Sequence, residues 1–320
     1  MLLGSPITDK ATKQGGNDLY HFAITAMQGW RECMSRSSPH YGHSMEDEYS
    51  FKLGVDGKQG NANAFFAVYD GHCGCMAAWY ATKNLYGWLV EDSAYRNKEY
   101  CLALKNAFLS TDEGMRNNPW FQWEDHRDGC TAISALLTVD GKIFVANTGD
   151  SRSVLSAKDL ATHLSIDHKP KNENERLRIT AAGGKIVNGY VNDGLALTRA
   201  LGDFKYKKNV LLPPEAQIIT ADPEIIEHDI TDDDEFLIVA SNEVDSLTKY
   251  AKKICDLCLA PEDNRNGVGY DNMTIAVVAL LHGRTIDEWY KWIADCTRCR
   301  IGFDTPGMLP EVFWTTSRWF

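Results

Sequence analysis

Apolar positions along the chain follow two rhythms. Short continuous runs rich in Val, Ile and Phe occupy 63–71 (NAFFAVYDG), 234–241 (DEFLIVAS) and 272–281 (NMTIAVVALL). Their length suits buried strands better than helices. The stretch 131–151 (TAISALLTVDGKIFVANTGDS) reads as two strands folded back at Asp140-Gly141, a hairpin pair. Segments 73–92 and 100–115 instead carry a broad apolar face at helical spacing. The stretch 172–184 (NENERLRITAAGG) predicts a shorter helix, with Asn172 and Glu175 as a capping box and Gly183-Gly184 as its stop. Helices do not alternate regularly with the strands, which argues against a doubly wound parallel sheet. The pattern predicts an α+β protein with antiparallel sheets covered by helices.

Composition narrows the functional classes. The 320 residues are 44% hydrophobic and carry a formal net charge of -11. Such a field repels phosphate backbones and anionic lipid, so neither a nucleic-acid surface nor a membrane surface is expected. No run approaches the roughly 20 apolar residues that span a bilayer. The start, MLLGSPITDK, lacks the charged head and apolar core of a signal peptide. The nine Cys are an odd number, which fits reduced thiols in the cytosol or nucleus. Two CxxC pairs, Cys255/Cys258 and Cys296/Cys299, have zinc-like spacing. The first pair lies in a helical pattern where i and i+3 share a face, so small buried side chains explain it better.

Carboxylates punctuate the apolar runs. Asp70 follows AFFAVY, Asp150 follows KIFVANTG, Asp271 precedes NMTIAVVALL, and Glu46-Asp47 precede another short strand. Each alone is a good turn residue. Taken together, clustered carboxylates call for cations or donors, and oxygen ligands suit Mg or Mn rather than Zn.

The wording around these acids is specific. AMQGWR (26–31), MED (45–47), FFAVYDGHCG (65–74), GCTA (129–132), ANTGDSRSVL (146–155), DHKP (167–170), ITAAGGKI (179–186), LALTRALGDFKYK (195–207) and YDNMT (270–274) occur in that order. Over about residues 20–282 the chain resembles the metal-dependent protein phosphatases of the protein phosphatase 2C type. The resemblance implies a four-layer αββα sandwich, with two antiparallel sheets flanked by helices and two metals at one end. It leaves 1–19 as an N-terminal arm and 283–320 as a C-terminal helix and aromatic tail. By the same resemblance Asp70 would bridge two Mn or Mg ions. Glu46 and the carbonyl of Gly71 would hold one ion and Asp271 the other, with Asp47 and Asn272 in support and Asp150 near a third, weaker ion. Arg31 would bind the substrate phosphate, since a guanidinium suits its oxygens. His72 would protonate the leaving alcohol, and the attacking water would be acidified by the cations.

The resemblance breaks after FLIVAS. Family members carry Asp-Gly there, followed by an apolar residue, an aromatic and another Asp. Here Asn242 stands at the Asp, Glu243 at the Gly, and Asp245 follows too soon. Asn removes one ligand charge, and metal affinity depends on ligand charge. Glu243 has the reach to replace the lost carboxylate only if the strand bends there, because neighbouring strand residues face opposite ways. A polar insertion, 32–44 (ECMSRSSPHYGHS), separates Arg31 from MED. The segment from Asp245 to Asp271 is short for the family. In 283–320, Ile286, Trp289, Trp292 and Ile293 share a helical face, which suits packing on the domain or on a partner. Two functions follow. One is a catalytically impaired pseudophosphatase that binds a phosphorylated protein or a regulatory partner, with 32–44 and 283–320 as possible contact surfaces. The other is an active Mn/Mg-dependent serine/threonine phosphatase, its site complete in itself or completed by a partner.

Overall fold

The computed structural model describes residues 2–31, 45–55, 62–122, 127–158, 160–241 and 271–298. The strands begin with β1 (Leu2–Gly16), β2 (Tyr20–Arg31), β3 (Glu48–Leu53), β4 (Ala64–Tyr69) and β5 (Gly71–His72). They continue with β6 (Gly129–Cys130), β7 (Ala132–Leu137), β8 (Lys142–Thr148), β9 (Arg152–Ala157) and β10 (Leu160–His163). The last are β11 (Ile186–Val187), β12 (Tyr190–Val191), β13 (Leu201–Gly202), β14 (Glu224–Asp229), β15 (Asp234–Ala240) and β16 (Met273–Leu280). The helices are α1 (Met76–Glu91), α2 (Ser93–Arg96), α3 (Tyr100–Asn117), α4 (Glu173–Ala181) and α5 (Ile286–Arg298).

Two antiparallel sheets make the body. One runs β1-β2-β16-β15-β9-β10 and the other β14-β8-β7-β4-β3. The strand alternation decides what each face packs against. In β4, Phe66 and Val68 join Phe22, Ile24, Leu237, Val239 and Val278 between the sheets. Phe65 and Tyr69 of the same strand face the other way, into a cluster with Leu85, Leu89, Leu104 and Phe108 of α1 and α3. β4 is therefore buried on both faces, which is why its sequence shows no polar alternation. Across the opposite sheet, α5 sets Trp289, Ile286, Trp292 and Ile293 against Phe236, Ala279 and Leu281. The expected αββα layering is thus present. The described part of the C-terminal segment packs on the chain itself, and the Trp289 indole donates to the Glu235 carbonyl at 3.2 Å.

Two local readings change. Leu2–Gly16, expected as an arm, is an edge strand paired with β2 from Leu2↔Arg31 to Gly16↔His21. Its polar alternation hid it, because an edge strand needs little apolar surface. At α4, Asn172 is the N-cap but makes no capping bond, so the capping box does not form. Glu175 is used elsewhere. Its carboxylate accepts from Arg178 at 2.8 Å, from Arg199 at 2.7 Å and from the Thr198 hydroxyl. Gly183 and Gly184 do end the helix, donating back to Thr180 and Ile179 carbonyls.

Burial works against the Glu175 charge, but the Arg199 hydrogen bonds and the Arg178 and Arg199 charges prevail and hold its pKa down to about 2. Burial also disfavours the Arg178 charge, so the triad contributes less than the carboxylate alone suggests. An acid with a depressed folded pKa stabilises the fold above its unfolded pKa, and that stability is lost as pH falls towards the folded value. Glu175→Gln is expected to cost about 2–3 kcal/mol at neutral pH. In urea unfolding the gap to wild type should narrow below about pH 4.5, near the unfolded glutamate value. A gap that stays constant down to about pH 3 would contradict this account.

Candidate active site

Antiparallel register gathers the acidic strand ends. Glu48 pairs with Tyr69, which sets Glu46-Asp47 beside Asp70-Gly71. Met273 pairs with Met27 and Ala240 with Ile275, so Asp271-Asn272 and Ser241 emerge at the end of the neighbouring sheet. Hydrogen bonds then lace the two sheets together. The Glu46 N–H donates to Asn272 Oδ1 at 2.8 Å, and the Asn272 amide donates to the Gln28 carbonyl at 2.7 Å. Thr131 and Ser151 hydroxyls meet at 2.6 Å, and Ser151 reaches the Ser241 carbonyl at 3.3 Å. Gly71 has to be glycine for space, because a Cβ there would stand 2.4 Å from the Glu46 carbonyl oxygen.

Asp47 carries the electrostatic strain of this arrangement. Burial raises its pKa far above the usual carboxylate range and the Asp271 charge adds to the rise, while Ser241, Thr274 and Asp70 pull partly back. None of them closes a bond of ordinary geometry on its two buried oxygens, and the neighbouring Thr274 hydroxyl is likewise unbonded. Among the described residues no three His, Cys, Asp or Glu side chains already converge as a metal ligand set. The donors nonetheless fit a hard cation. They are carboxylates and a carbonyl, they repel one another, and a cation would relieve that repulsion. Glu46, Asp70 and the Gly71 carbonyl are the groups available on one side, and Asp271 on the other.

His72 lies on the neighbouring three-stranded ribbon β13-β6-β5. Its Nε2 is 2.7 Å from Asp203 Oδ2, with His72 one-fifth exposed and Asp203 2% exposed. Burial pushes the His72 pKa down, but the Asp203 charge and hydrogen bond outweigh it, with help from Asp150 and Glu46, and the net direction is up. Asp150 pairs with Lys169 of the DHKP stretch. Lys169 and Asp203 are both site neighbours with no role implied by the sequence; their only signal is a place in DHKP and in LGDFKY. Arg31 closes β2, with its side chain outside the described residues. Asn242, Glu243, the 32–44 insertion, Cys255/Cys258 and the tail beyond residue 298 also lie outside them.

Acids gathered at one end of a double antiparallel sandwich, beside a histidine, suit a hard cation and an anionic ligand, and comparison with known proteins gives the family. The family model described as protein phosphatase 2C matches residues 20–284. The chain belongs to the protein phosphatase 2C family. It is 40% identical over 313 residues to protein phosphatase 2C homolog 2 of Schizosaccharomyces pombe, covering 91% of this chain and 81% of that one. The homolog 2 protein of Hypocrea jecorina is 37% identical over 318 residues, covering 91% and 69% respectively. Among solved structures, a serine-threonine phosphatase 2C from Toxoplasma gondii superposes with a TM-score of 0.66 at 18% identity, covering 85% of this chain and 99% of the other. At that identity the superposition speaks for the fold alone.

A carboxyl whose folded pKa is raised favours the protonated folded state. Its contribution therefore falls as pH rises from the unfolded carboxyl value to the raised one. In chelator at mildly alkaline pH, Asp47→Asn is expected to be at least as stable as wild type. Mn at about a hundredfold over its Kd should stabilise wild type by about 3 kcal/mol. Asp70→Asn should lose most of that gain in a thermal-shift titration. Equal Mn stabilisation of wild type and Asp70→Asn would show that the cation binds elsewhere.

Proposed function

We propose that this chain is a catalytically impaired phosphatase-2C-type protein, one that binds a phosphorylated protein or a regulatory partner more effectively than it turns over phosphoester. The observation that carries this reading is Asn242-Glu243, where the family has Asp-Gly. A neutral amide in place of an anion lowers affinity at the Asp271 side. Glu243 adds bulk where the family has almost none. The Glu46/Asp70/Gly71 side keeps its full complement of donors.

Bound there, Mn or Mg would supply positive charge to the phosphate and acidify water. The chain's own groups would do the rest. Arg31 would orient the phosphate through its guanidinium, Asp47 and Asn272 would hold the ligand segments in place, and His72 would deliver a proton to the leaving oxygen. Partner contacts are assigned to the 32–44 insertion and the end of the tail, since α5 is already occupied by its own sheet. Among the described residues no helix is long and apolar enough to cross a membrane. A cytosolic or nuclear setting rests on the thiol content. The second reading, an active Mn/Mg-dependent serine/threonine phosphatase, is favoured by the His72–Asp203 pair and the gathered carboxylates.

Calorimetric titration with Mn should find a single strong site, and aryl phosphate turnover with Mn or Mg should not rise above an Asp70→Asn blank. Two strong sites of similar affinity, or clear metal-dependent turnover, would select the active enzyme.

Repair of the broken stretch provides the converse. Asn242→Asp with Glu243→Gly, plus a Trp inserted before Asp245, should add a second Mn site and raise turnover about 100-fold or more, the scale of a restored catalytic group. The gain measured on a phosphothreonine peptide should vanish with His72→Ala, since an alkoxide leaving group needs the proton. A repaired, folded protein that binds two ions and stays inactive would move the cause to the 32–44 insertion beside Arg31.

A further inference from the structure

The carboxylate of Asp203 is held with unusual care for a residue outside the expected ligand set. Asp203 takes φ +52°, in the left-handed region, directly after Gly202 at φ +76°. A non-glycine residue persists there only when its surroundings over-determine it, and Asp tolerates the region better than most. Here α3 supplies the surroundings. Asp112 accepts the Gly202 N–H at 2.8 Å and the buried Lys207 ammonium at 2.6 Å. Lys207 also donates to the Ala200 carbonyl at 2.8 Å. Arg116 donates to the Lys207 carbonyl at 3.3 Å and covers the Phe204 ring at 4.5 Å. The turn carrying Asp203 is thus clamped at both ends.

Room for the carboxylate comes from the middle strand of the ribbon. His72 and Gly202 both pair with Gly129. A Cβ at Gly129 would stand 2.4 Å from Asp203 Oδ2 and 2.4 Å from His72 Nε2. The histidine–carboxylate bond therefore passes over a gap that any side chain at Gly129 would fill. A strained turn, a buried clamp and a bare strand position converge on one hydrogen bond.

We propose that Asp203 is the positioning residue for His72: its carboxylate takes the Nε2 proton in a hydrogen bond, fixes the rotation of the ring, and leaves Nδ1 as the nitrogen that serves the leaving group. In hydrolysis, the bond from phosphorus to the serine or threonine oxygen breaks and its electron pair stays on that oxygen. The Nδ1 proton moves to the same oxygen and yields the free alcohol. The attacking water oxygen bonds to phosphorus, and the proton it releases restores the ring. Asp203, 2% exposed, acts through the ring. It sets which nitrogen acts and where.

The first test needs no turnover. Proton–nitrogen correlation spectra of the full-length protein are recorded at a pH where the imidazole is neutral, with His72→Gln identifying the His72 signals. Wild type is expected to show the proton on Nε2. Asp203→Asn keeps the side-chain shape and tolerates the left-handed backbone, so it should fold while losing the anionic acceptor, and His72 should shift towards a mixed or Nδ1-protonated tautomer. Gly129→Ala should give the same change by pushing the pair apart, with neither partner altered. An unchanged Nε2–H tautomer in both folded variants would overturn the proposal.

The second test rests on the hydrolysis reading. With Mn, in the chain carrying Asn242→Asp, Glu243→Gly and the inserted Trp, Asp203→Asn should slow a phosphothreonine peptide about tenfold or more relative to p-nitrophenyl phosphate, whose leaving group departs without a proton. Equal losses on both substrates would mark a structural role and overturn the proposal. A repaired chain without turnover would count against hydrolysis itself, and the tautomer would then decide the role of Asp203 alone.

Discussion

Strands buried on both faces have nowhere to carry charge except their ends, and the whole site follows from that constraint. β4 shows it most clearly, with one set of residues under the helices and the other between the sheets. β15 and β16 are in the same position, with Leu237, Val239, Ala276 and Val278 in the inter-sheet core and Ile238, Ala240 and Ile275 on the outer face. A carboxylate in the middle of any of these strands would lose its hydration with nothing in return. At the ends it can meet donors from neighbouring strands or water; Glu46 and Asp47 are buried there, and Asp70 and Asp271 half-buried. Antiparallel pairing then does the gathering, because the end of one strand lies beside the start of the next. The cluster of Glu46, Asp47, Asp70 and Asp271 is a consequence of register.

That explains which features were legible in the sequence. β4, β7, β8, β15 and β16 announce themselves through unbroken apolar runs, and α1 and α3 through a wide apolar face. β1 and β14 do not. β14 reads EIIEHD and has only partial burial, so its pattern is too polar to mark a strand. Glu175 shows a different failure. Its spacing from Asn172 fits a capping box, but Arg178 one turn further along the helix, and Arg199 and Thr198 from a distant segment, compete for the carboxylate and win. Four charge-assisted bonds outweigh one cap. Asp203 was invisible for a similar reason. It contacts His72 from 131 positions away, and nothing local in LGDFKY signals a carboxylate aimed at a histidine.

Charge organises the site in two halves. Around Asp47 burial, with the Asp271 charge adding to it, pushes the carboxyl pKa well above the usual range. Around His72 and Asp150 the negative groups have internal partners, the imidazole for Asp203 and Lys169 for Asp150. The first half asks for a cation from outside. The second has partners from the chain itself, and hydrogen bonds from His72 and Lys169 hold its carboxylates in place.

The same balance bears on the proposed reading of Asn242, which follows Ser241 in the sequence. If position 242 serves the cation side, as that proposal holds, a carboxylate there would add a negative charge and an amide would add none. The exchange would then lower both the electrostatic cost of the metal-free fold and the gain from binding a cation, because both scale with the number of anions gathered at one strand end. On that reading, stability without metal and affinity for metal are coupled in sign.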